Sequence, residues 1–261
     1  MSDVSVVIPV RDDAAELERC LRALARQTVA PVEVVVVDNM STDESAQVAR
    51  RHGARVVVEP QVGIPTAAAT GYDAAVGSII ARLDADTLPG TDWVERIVDA
   101  FDARPAAVAI TGVGIFRDGP RGLRLLLSLL YLGSYYLAGA AAAGHHVLWG
   151  SCMAVRSDAW QRVSDRVHRH HLDIHDDMDL SFVLGPAARI VLLPSIRVGV
   201  SIRSLRCRHQ RRRRLSRGLR TVRLNWLDAP PWQRWAVTVR RIQRGPARRP
   251  THPGPSSSPD P

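Results

Sequence analysis

The sequence predicts an α/β domain, a doubly wound and mostly parallel sheet flanked by helices. Three observations lead there. Apolar, β-branched runs alternate with stretches of helical periodicity. The runs are apolar at successive positions, as strands covered on both faces require. The residues that interrupt them are Asp, Asn, Pro and Gly, which make loops at strand ends. With 261 residues, 46% of them hydrophobic, the chain can bury one sizeable core.

Residues 4–10 give the first predicted strand. A helix follows, with Asp12 or Asp13 at its N-cap and Leu17, Cys20, Leu21 and Leu24 on one face. Residues 34–37 give the second strand, and Ser41-Thr42-Asp43-Glu44 reads as a capping box opening a helix that Gly53 stops. Residues 55–58 give a third strand, Pro65 suits the first turn of a third helix, and residues 78–83 give a fourth strand. Residues 191–194 read as a later buried strand. Right-handed connections between parallel strands leave ligands at the carboxyl ends, and Pro9, Val10, Asp12, Asp38, Asp84 and Asp86 all lie at such ends. Two carboxylates one residue apart, as in Leu83-Asp84-Ala85-Asp86, can converge on a hard divalent cation that keeps places for phosphate oxygens. Alone, the same pattern also fits an acidic surface turn.

Five segments, in this order, carry a resemblance: Val4-Ser5-Val6-Val7-Ile8-Pro9-Val10, Val36-Val37-Asp38-Asn39-Met40-Ser41-Thr42-Asp43, Leu83-Asp84-Ala85-Asp86, Gly150-Ser151-Cys152-Met153-Ala154-Val155-Arg156 and Asp176-Asp177-Met178-Asp179-Leu180. Over residues 4–205 the chain resembles the inverting, nucleotide-sugar-dependent glycosyltransferases of family 2, which have the A-type fold. The resemblance implies that Asp84 and Asp86 hold Mn²⁺ or Mg²⁺ and that Asp177 is the catalytic base. It also implies that Pro9, Val10, Asp12, Asp38 and Asp84 contact the nucleotide-sugar donor; Arg203 is a further candidate for that contact, as part of a basic run that could fold over a diphosphate, bind anionic lipid or simply be solvated. Asp177 equally suits the first turn of a helix carrying Leu180, Val183 and Leu184. Asp176 and Asp179 are expected to support, His175 to be a satisfied neighbour, and His168, His170 and His171 to lie in a solvated basic loop. Two departures stand out: Asn39-Met40 replaces Asp-Gly, and Ala67-Ala68-Ala69 replaces the frequent Ala-Arg-Asn.

The formal charge of +9 is carried by arginine, since the chain has no lysine. Arginine suits phosphate and anionic lipid. Arg203, Arg206, Arg208 and Arg211 to Arg214 form a basic run, whose Gln210-Arg211-Arg212-Arg213 faintly resembles the Gln-x-x-Arg-Trp of processive members, with Arg214 in place of Trp. The absence of helix-turn-helix, zinc-finger or aromatic-platform patterns argues against a nucleic-acid partner. Cys20, Cys152 and Cys207 follow no disulfide or zinc pattern, and no basic-apolar leader precedes residue 4, which fits a cytoplasmic protein.

The expected organisation is a catalytic domain over residues 1–225, a Trp/Arg-rich extension over 226–244 and a disordered Pro/Ser-rich tail over 245–261. Residues 125–143 are long and apolar enough for a transmembrane helix. Crossing would put Asp84 and Asp177 on opposite sides, so this helix is expected to stay on one side, buried or at the interface. Trp226, Trp232 and Trp235 with Arg234, Arg240 and Arg241 suit a membrane surface or packing back on the domain. The expected partners are the donor, a glycan or lipid-linked acceptor and the anionic inner face of the membrane. A catalytically inactive protein of this fold, binding carbohydrate or nucleotide, is the alternative.

Overall fold

The computed structural model describes residues 3–120, 122–203 and 208–243. Its first half is β1 (Val4–Val10), α1 (Ala14–Leu24), β2 (Glu33–Asp38), α2 (Ser45–Arg51), β3 (Arg55–Val58), α3 (Ile64–Ala74) and β4 (Ile79–Arg82). Then come β5 (Leu88–Pro89), α4 (Trp93–Asp102), β6 (Ala109–Phe116), α5 (Arg124–Ala143), β7 (Met153–Arg156), α6 (Ser157–Gln161), α7 (Asp176–Leu184) and β8 (Ile190–Val200). The helices α8 (Arg208–Asp228) and α9 (Pro231–Gln243) end the described chain. Arg206 and the proposed tail lie outside the described residues.

The strands form one sheet in the order β3-β2-β1-β4-β7-β6-β8-β5. β1 is parallel to β2 and β4, β2 to β3, and β6 to β8, whereas β7 runs antiparallel to both β4 and β6. Val4, Val6, Ile8 and Val10 pack on one face with Leu17, Cys20 and Trp93, while Val7, Val35, Val37 and Ile80 pack on the other beneath the Ala67-Ala68-Ala69 segment of α3. Cover on both faces is why these strands are apolar at successive positions.

The reversed strand matters most for function. Its register pairs Arg82 with Met153, so the loop entering β7 meets the loop leaving β4, and residues 150–151 come beside Asp84. In the same way β5 pairs Leu88 with Gly199, which brings the end of β8 beside Asp86.

Local capping differs from expectation. Asp13 stands at the N-cap of α1 but makes no capping hydrogen bond, because its carboxylate is taken by Arg203. The Ala14 N–H instead donates to Asp43 Oδ2 at 2.9 Å. Asp12, with φ of 50°, accepts from Thr42 N at 2.6 Å and from its hydroxyl, and these bonds hold its carboxyl below the ordinary range. The expected capping box does not form: α2 begins only at Ser45, whose N–H donates to Asp43. The two loops at the carboxyl ends of β1 and β2 are thus tied to each other, Asp43 serving the first amide of α1 with one oxygen and that of α2 with the other. β8 is also longer than residues 191–194, and that stretch is half-buried to exposed, with the buried positions at Ile196, Val198 and Val200.

α5 is held along one edge only. Ser128, Leu132, Tyr136, Gly139 and Ala143 are buried, and the Tyr136 hydroxyl donates to Gly112 O at 2.6 Å. Leu125, Leu126, Leu129, Leu130 and Leu137 are exposed. By length and composition α5 is the one described helix able to cross a membrane. Trp226 and Trp235 pack back, their indole N–H groups donating to Ala142 O and Ala141 O at the end of α5, carbonyls left without helical partners. Arg234, for which the sequence left a membrane surface or packing back on the domain open, packs back: it is 5% exposed and donates to Phe182 O, Asn225 O and Ala229 O.

Gly71 is where α3 touches the sheet, since a Cβ there would lie 2.3 Å from Val7 Cγ1 and 2.8 Å from Val37 Cγ2. Gly71→Ala should therefore destabilise by ~1–3 kcal/mol through overpacking. Gly133→Ala, which would meet nothing within 4 Å, should stabilise by up to ~1 kcal/mol through helix propensity. Urea midpoints of the two variants check the contrast.

Candidate active site

A cleft of about 310 Å³ opens at the carboxyl ends of β1 and β4. Pro9, Asp84 and Asp86 line it from the sheet side, Gly150, Ser151 and Asp177 from the opposite wall. At its base lies Arg82, the last residue of β4 and 3% exposed. Its Nη1 donates to Asp176 and its Nη2 to Asp84 Oδ1, at 3.1 Å for the latter. Against the burial that disfavours charge, Asp176 above all keeps this guanidinium protonated. A buried arginine without such partners would be prohibitively costly. Gly150 fits over the guanidinium, where a Cβ would lie 2.8 Å from Arg82 Cζ.

Asp84 also accepts from the Ser151 hydroxyl. Asp86 accepts from Arg203 Nη2 at 3.3 Å, and the same guanidinium forks onto Asp13 at 2.7 and 3.3 Å. Burial raises the Asp86 carboxyl above its ordinary value, and the charge of Asp84 adds to this against Arg203. The two carboxylates therefore form a like-charged pair facing a cleft, an arrangement that a cation relieves. Among the described residues no group of three or more His, Cys, Asp or Glu side chains is placed to hold an ion. A hard cation here would find two carboxylates, Asp84 and Asp86, and would need phosphate and water oxygens for its remaining positions, a donor set that fits Mg²⁺ or Mn²⁺.

Asp177 lies in the first turn of α7 and is 9% exposed. Its oxygens accept from Gly150 N and Met178 N, both at 2.7 Å, which fixes its orientation and leaves each oxygen a further lone pair. Asp176, beside it, is pushed up to about 6 by burial and by repulsion from Asp177 and Asp84, with Arg82 opposing. Asp179 faces away from this pair, accepting from His168 N and Nδ1 and from Asn225 Nδ2, each at 2.8 Å. His168 is therefore a structural partner of α7 rather than part of a solvated loop.

Val10, Asp12 and Asp38 sit behind the cleft wall, where the Asp38 carboxylate accepts from Ser41 N at 3.0 Å. Asn39 is buried and needs its amide: Nδ2 donates to Glu59 O and Gln61 O while Oδ1 accepts from Gly63 N. A carboxylate could not make the two donations. Sequence reasoning passed over Arg82, although a charged residue closing an apolar strand signals a buried partner. It also left Tyr131, Tyr135 and Arg217 unassigned, because only folding brings them to the same cleft.

The family model for "Glycosyl transferase family 2" matches residues 5–163, more than half of the chain. The chain belongs to glycosyl transferase family 2. It is 37% identical over 127 residues to glycosyltransferase AglE of Haloferax volcanii, covering 46% of this chain and 41% of AglE. The chain thus spans less than half the length of this curated relative. Among solved structures it is similar to the mannosyltransferase PcManGT of Pyrobaculum calidifontis in complex with GDP-Man and Mn²⁺, with TM-score 0.68, 20% identity and coverage of 94% of this chain and 72% of that one. It is also similar to S. aureus TarS 1–349 in complex with UDP-GlcNAc, with TM-score 0.59, 17% identity and coverage of 80% and 60%. These likenesses establish the A-type glycosyltransferase fold.

Arg82→Leu isolates the central guanidinium. Removing one partner of a buried pair should cost ~3–5 kcal/mol at neutral pH. Without Arg82, the Asp176 carboxyl, already raised, rises further. A carboxyl whose folded pKa exceeds its unfolded value costs nothing below about pH 4, where both states hold the proton, and costs more as pH climbs through the folded pKa. The deficit of the variant, measured by urea denaturation from pH 4 to 8, should grow with pH.

Proposed function

We propose that this family 2 enzyme is an inverting, metal-dependent glycosyltransferase that moves a sugar from a nucleotide-diphosphate sugar to a glycan or lipid-linked acceptor in cell-envelope synthesis. The observation that carries the reading is that Asp84, Asp86 and Asp177 line one cleft. Mn²⁺ with GDP-Man in PcManGT and UDP-GlcNAc in TarS support a metal and a nucleotide-sugar here.

In this reading Asp84 and Asp86 hold the cation against the donor diphosphate, where it would neutralise the charge that grows on the leaving group. Arg203 exchanges part of its contact with Asp86 for a phosphate oxygen, and Asp13 keeps it in place. Pro9 and the braced loops at Asp12 and Asp38 form the floor and rim for the nucleotide. Asp177 takes the proton of the acceptor hydroxyl, its orientation set by Gly150 N and Met178 N, and attack from that wall inverts the anomeric carbon. Asp176 is engaged by Arg82 and positions the wall. An inactive binding protein would have no use for an acceptor-side carboxylate held in this way.

Asp84→Ala and Asp86→Ala should each abolish Mn²⁺-dependent binding of nucleotide sugars, screened by thermal shift with UDP- and GDP-sugars; Asp86→Ala should leave the metal-free melting temperature nearly unchanged, whereas Asp84→Ala, which takes a partner from buried Arg82, should lower it. Asp177→Asn should keep donor affinity and lose roughly 10²- to 10⁴-fold in transfer rate. A variant with half the wild-type rate would exclude Asp177 as the base.

The exposed leucines of α5, with Trp232 and the arginines of α8 and α9, support peripheral contact with an anionic membrane on the cytoplasmic face. Flotation with phosphatidylglycerol vesicles should recover the wild type at low salt. A Leu126→Ser, Leu129→Ser, Leu130→Ser triple variant should stay unbound without a fall in melting temperature, because these side chains are 52–62% exposed.

A further inference from the structure

The helix that carries Asp177 is not held by its own sequence. α7 has 9 residues, fewer than the ~12–15 at which an isolated helix is already marginal in water, and its N-cap residue His175 makes no side-chain capping bond. Its fixings come from α8 and α9. On α8, the Thr221 hydroxyl accepts from His175 N at 2.9 Å, and Asn225 Nδ2 donates to Asp179 Oδ1 at 2.8 Å. On α9, Arg234 Nη1 donates to Phe182 O at 3.0 Å, and its Cζ lies 4.6 Å from the centre of the Phe182 ring. The start, middle and end of α7 are thus each engaged. The fixings are also joined to one another, since Asn225 O accepts from Arg234 Nη2 at 3.2 Å. Thr221, Asn225 and Arg234 are 0, 1 and 5% exposed, and contacts between buried polar groups cost most when one partner is taken away.

None of the three lines the cleft. Asp177, however, lies two residues from His175 and two from Asp179, so any shift of α7 along or about its axis carries the Asp177 carboxylate with it. A base must stand within hydrogen-bond reach of the proton it takes, and a misplacement of ~1 Å can cost about 100-fold in rate. We propose that Thr221, Asn225 and Arg234 are positioning residues for Asp177, acting through the placement of α7. This rests on the reading of Asp177 as the base, and it adds that α8 and α9 take part in aiming that base.

The test exchanges a carboxylate and an amide. Full-length Asn225→Asp, Asp179→Asn and the double variant are compared for Mn²⁺-dependent release of nucleoside diphosphate from the nucleotide sugar found by thermal shift, with donor affinity measured separately by calorimetry. Asn225→Asp sets two buried carboxylates against each other, and it should lower kcat by ~10- to 100-fold while leaving donor affinity within about twofold. The double variant brings amide and carboxylate together again with their places exchanged. It should be faster than either single variant, a coupling that the double-mutant cycle reads directly. Thr221→Val keeps the shape but leaves His175 N without its acceptor, and it should lower kcat in the same way, which keeps the test open if Asn225→Asp fails to fold. Leu227→Ala, on the exposed side of α8, should change neither quantity. A double variant no faster than the slower single, a fall in donor affinity as large as the fall in kcat, or a full rate in Thr221→Val would overturn the inference. Asp177→Asn, run alongside, separates the two claims: a rate kept there overturns the base reading, whereas a loss there with full rates in Asn225→Asp and Thr221→Val overturns the positioning alone.

Discussion

The site is assembled around one buried cation. Arg82 ends β4 beneath the cleft and is bonded at once to Asp84 on its own loop and to Asp176 at the start of α7. Those segments are 94 residues apart in sequence, and the guanidinium makes their spacing a matter of hydrogen-bond geometry. It also sets the chemistry. Asp84 and Asp86 are left as a crowded, partly neutralised pair, and Asp177 is turned to accept backbone N–H groups rather than to pair with arginine. A buried ion pair is seldom a gain in stability over an apolar pair of the same size. Its value here lies in fixing where three carboxylates stand.

The sheet topology serves the same end. In an all-parallel sheet the segment before the strand next to β4 would lie at the amino ends, away from the Asp-x-Asp loop. Because β7 runs antiparallel, residues 150–151 reach Asp84 and Asp177 directly, and Gly150 can lie flat on Arg82. The lacing of Asp12 to Thr42 and of Asp43 to Ala14 ties together the loops that leave β1 and β2. Asp13 is lost as a cap for α1, and Asp43 serves α1 and α2 together.

Much of this was legible in the sequence. The apolar runs gave β1 to β4 to within a residue or two, since strands buried on both faces leave little ambiguity in composition. Asp84, Asp86 and Asp177 could be singled out because they sit at strand or helix ends in recognisable segments, and the fold brings all three to one cleft. What could not be read were partners distant in the chain. Arg203 joins Asp13 across 190 residues, which is why Asp13 does not cap α1. Arg82 looked like the end of a strand, and for Arg234 the sequence could not choose between a membrane surface and packing back, whereas it caps carbonyls at the ends of α7 and α8. Local propensity carries no information about such long-range pairs.

The central claim is that the chain supplies two carboxylates and the donor diphosphate completes the cation's shell. Electron paramagnetic resonance of Mn²⁺ titrated into the protein, with and without UDP or GDP, addresses it most directly. Weak binding of Mn²⁺ alone, strengthened by the cognate nucleotide and showing ³¹P hyperfine coupling, is the predicted result. Mn²⁺ that binds equally well without nucleotide, or that shows no phosphorus coupling with either nucleotide, would contradict it.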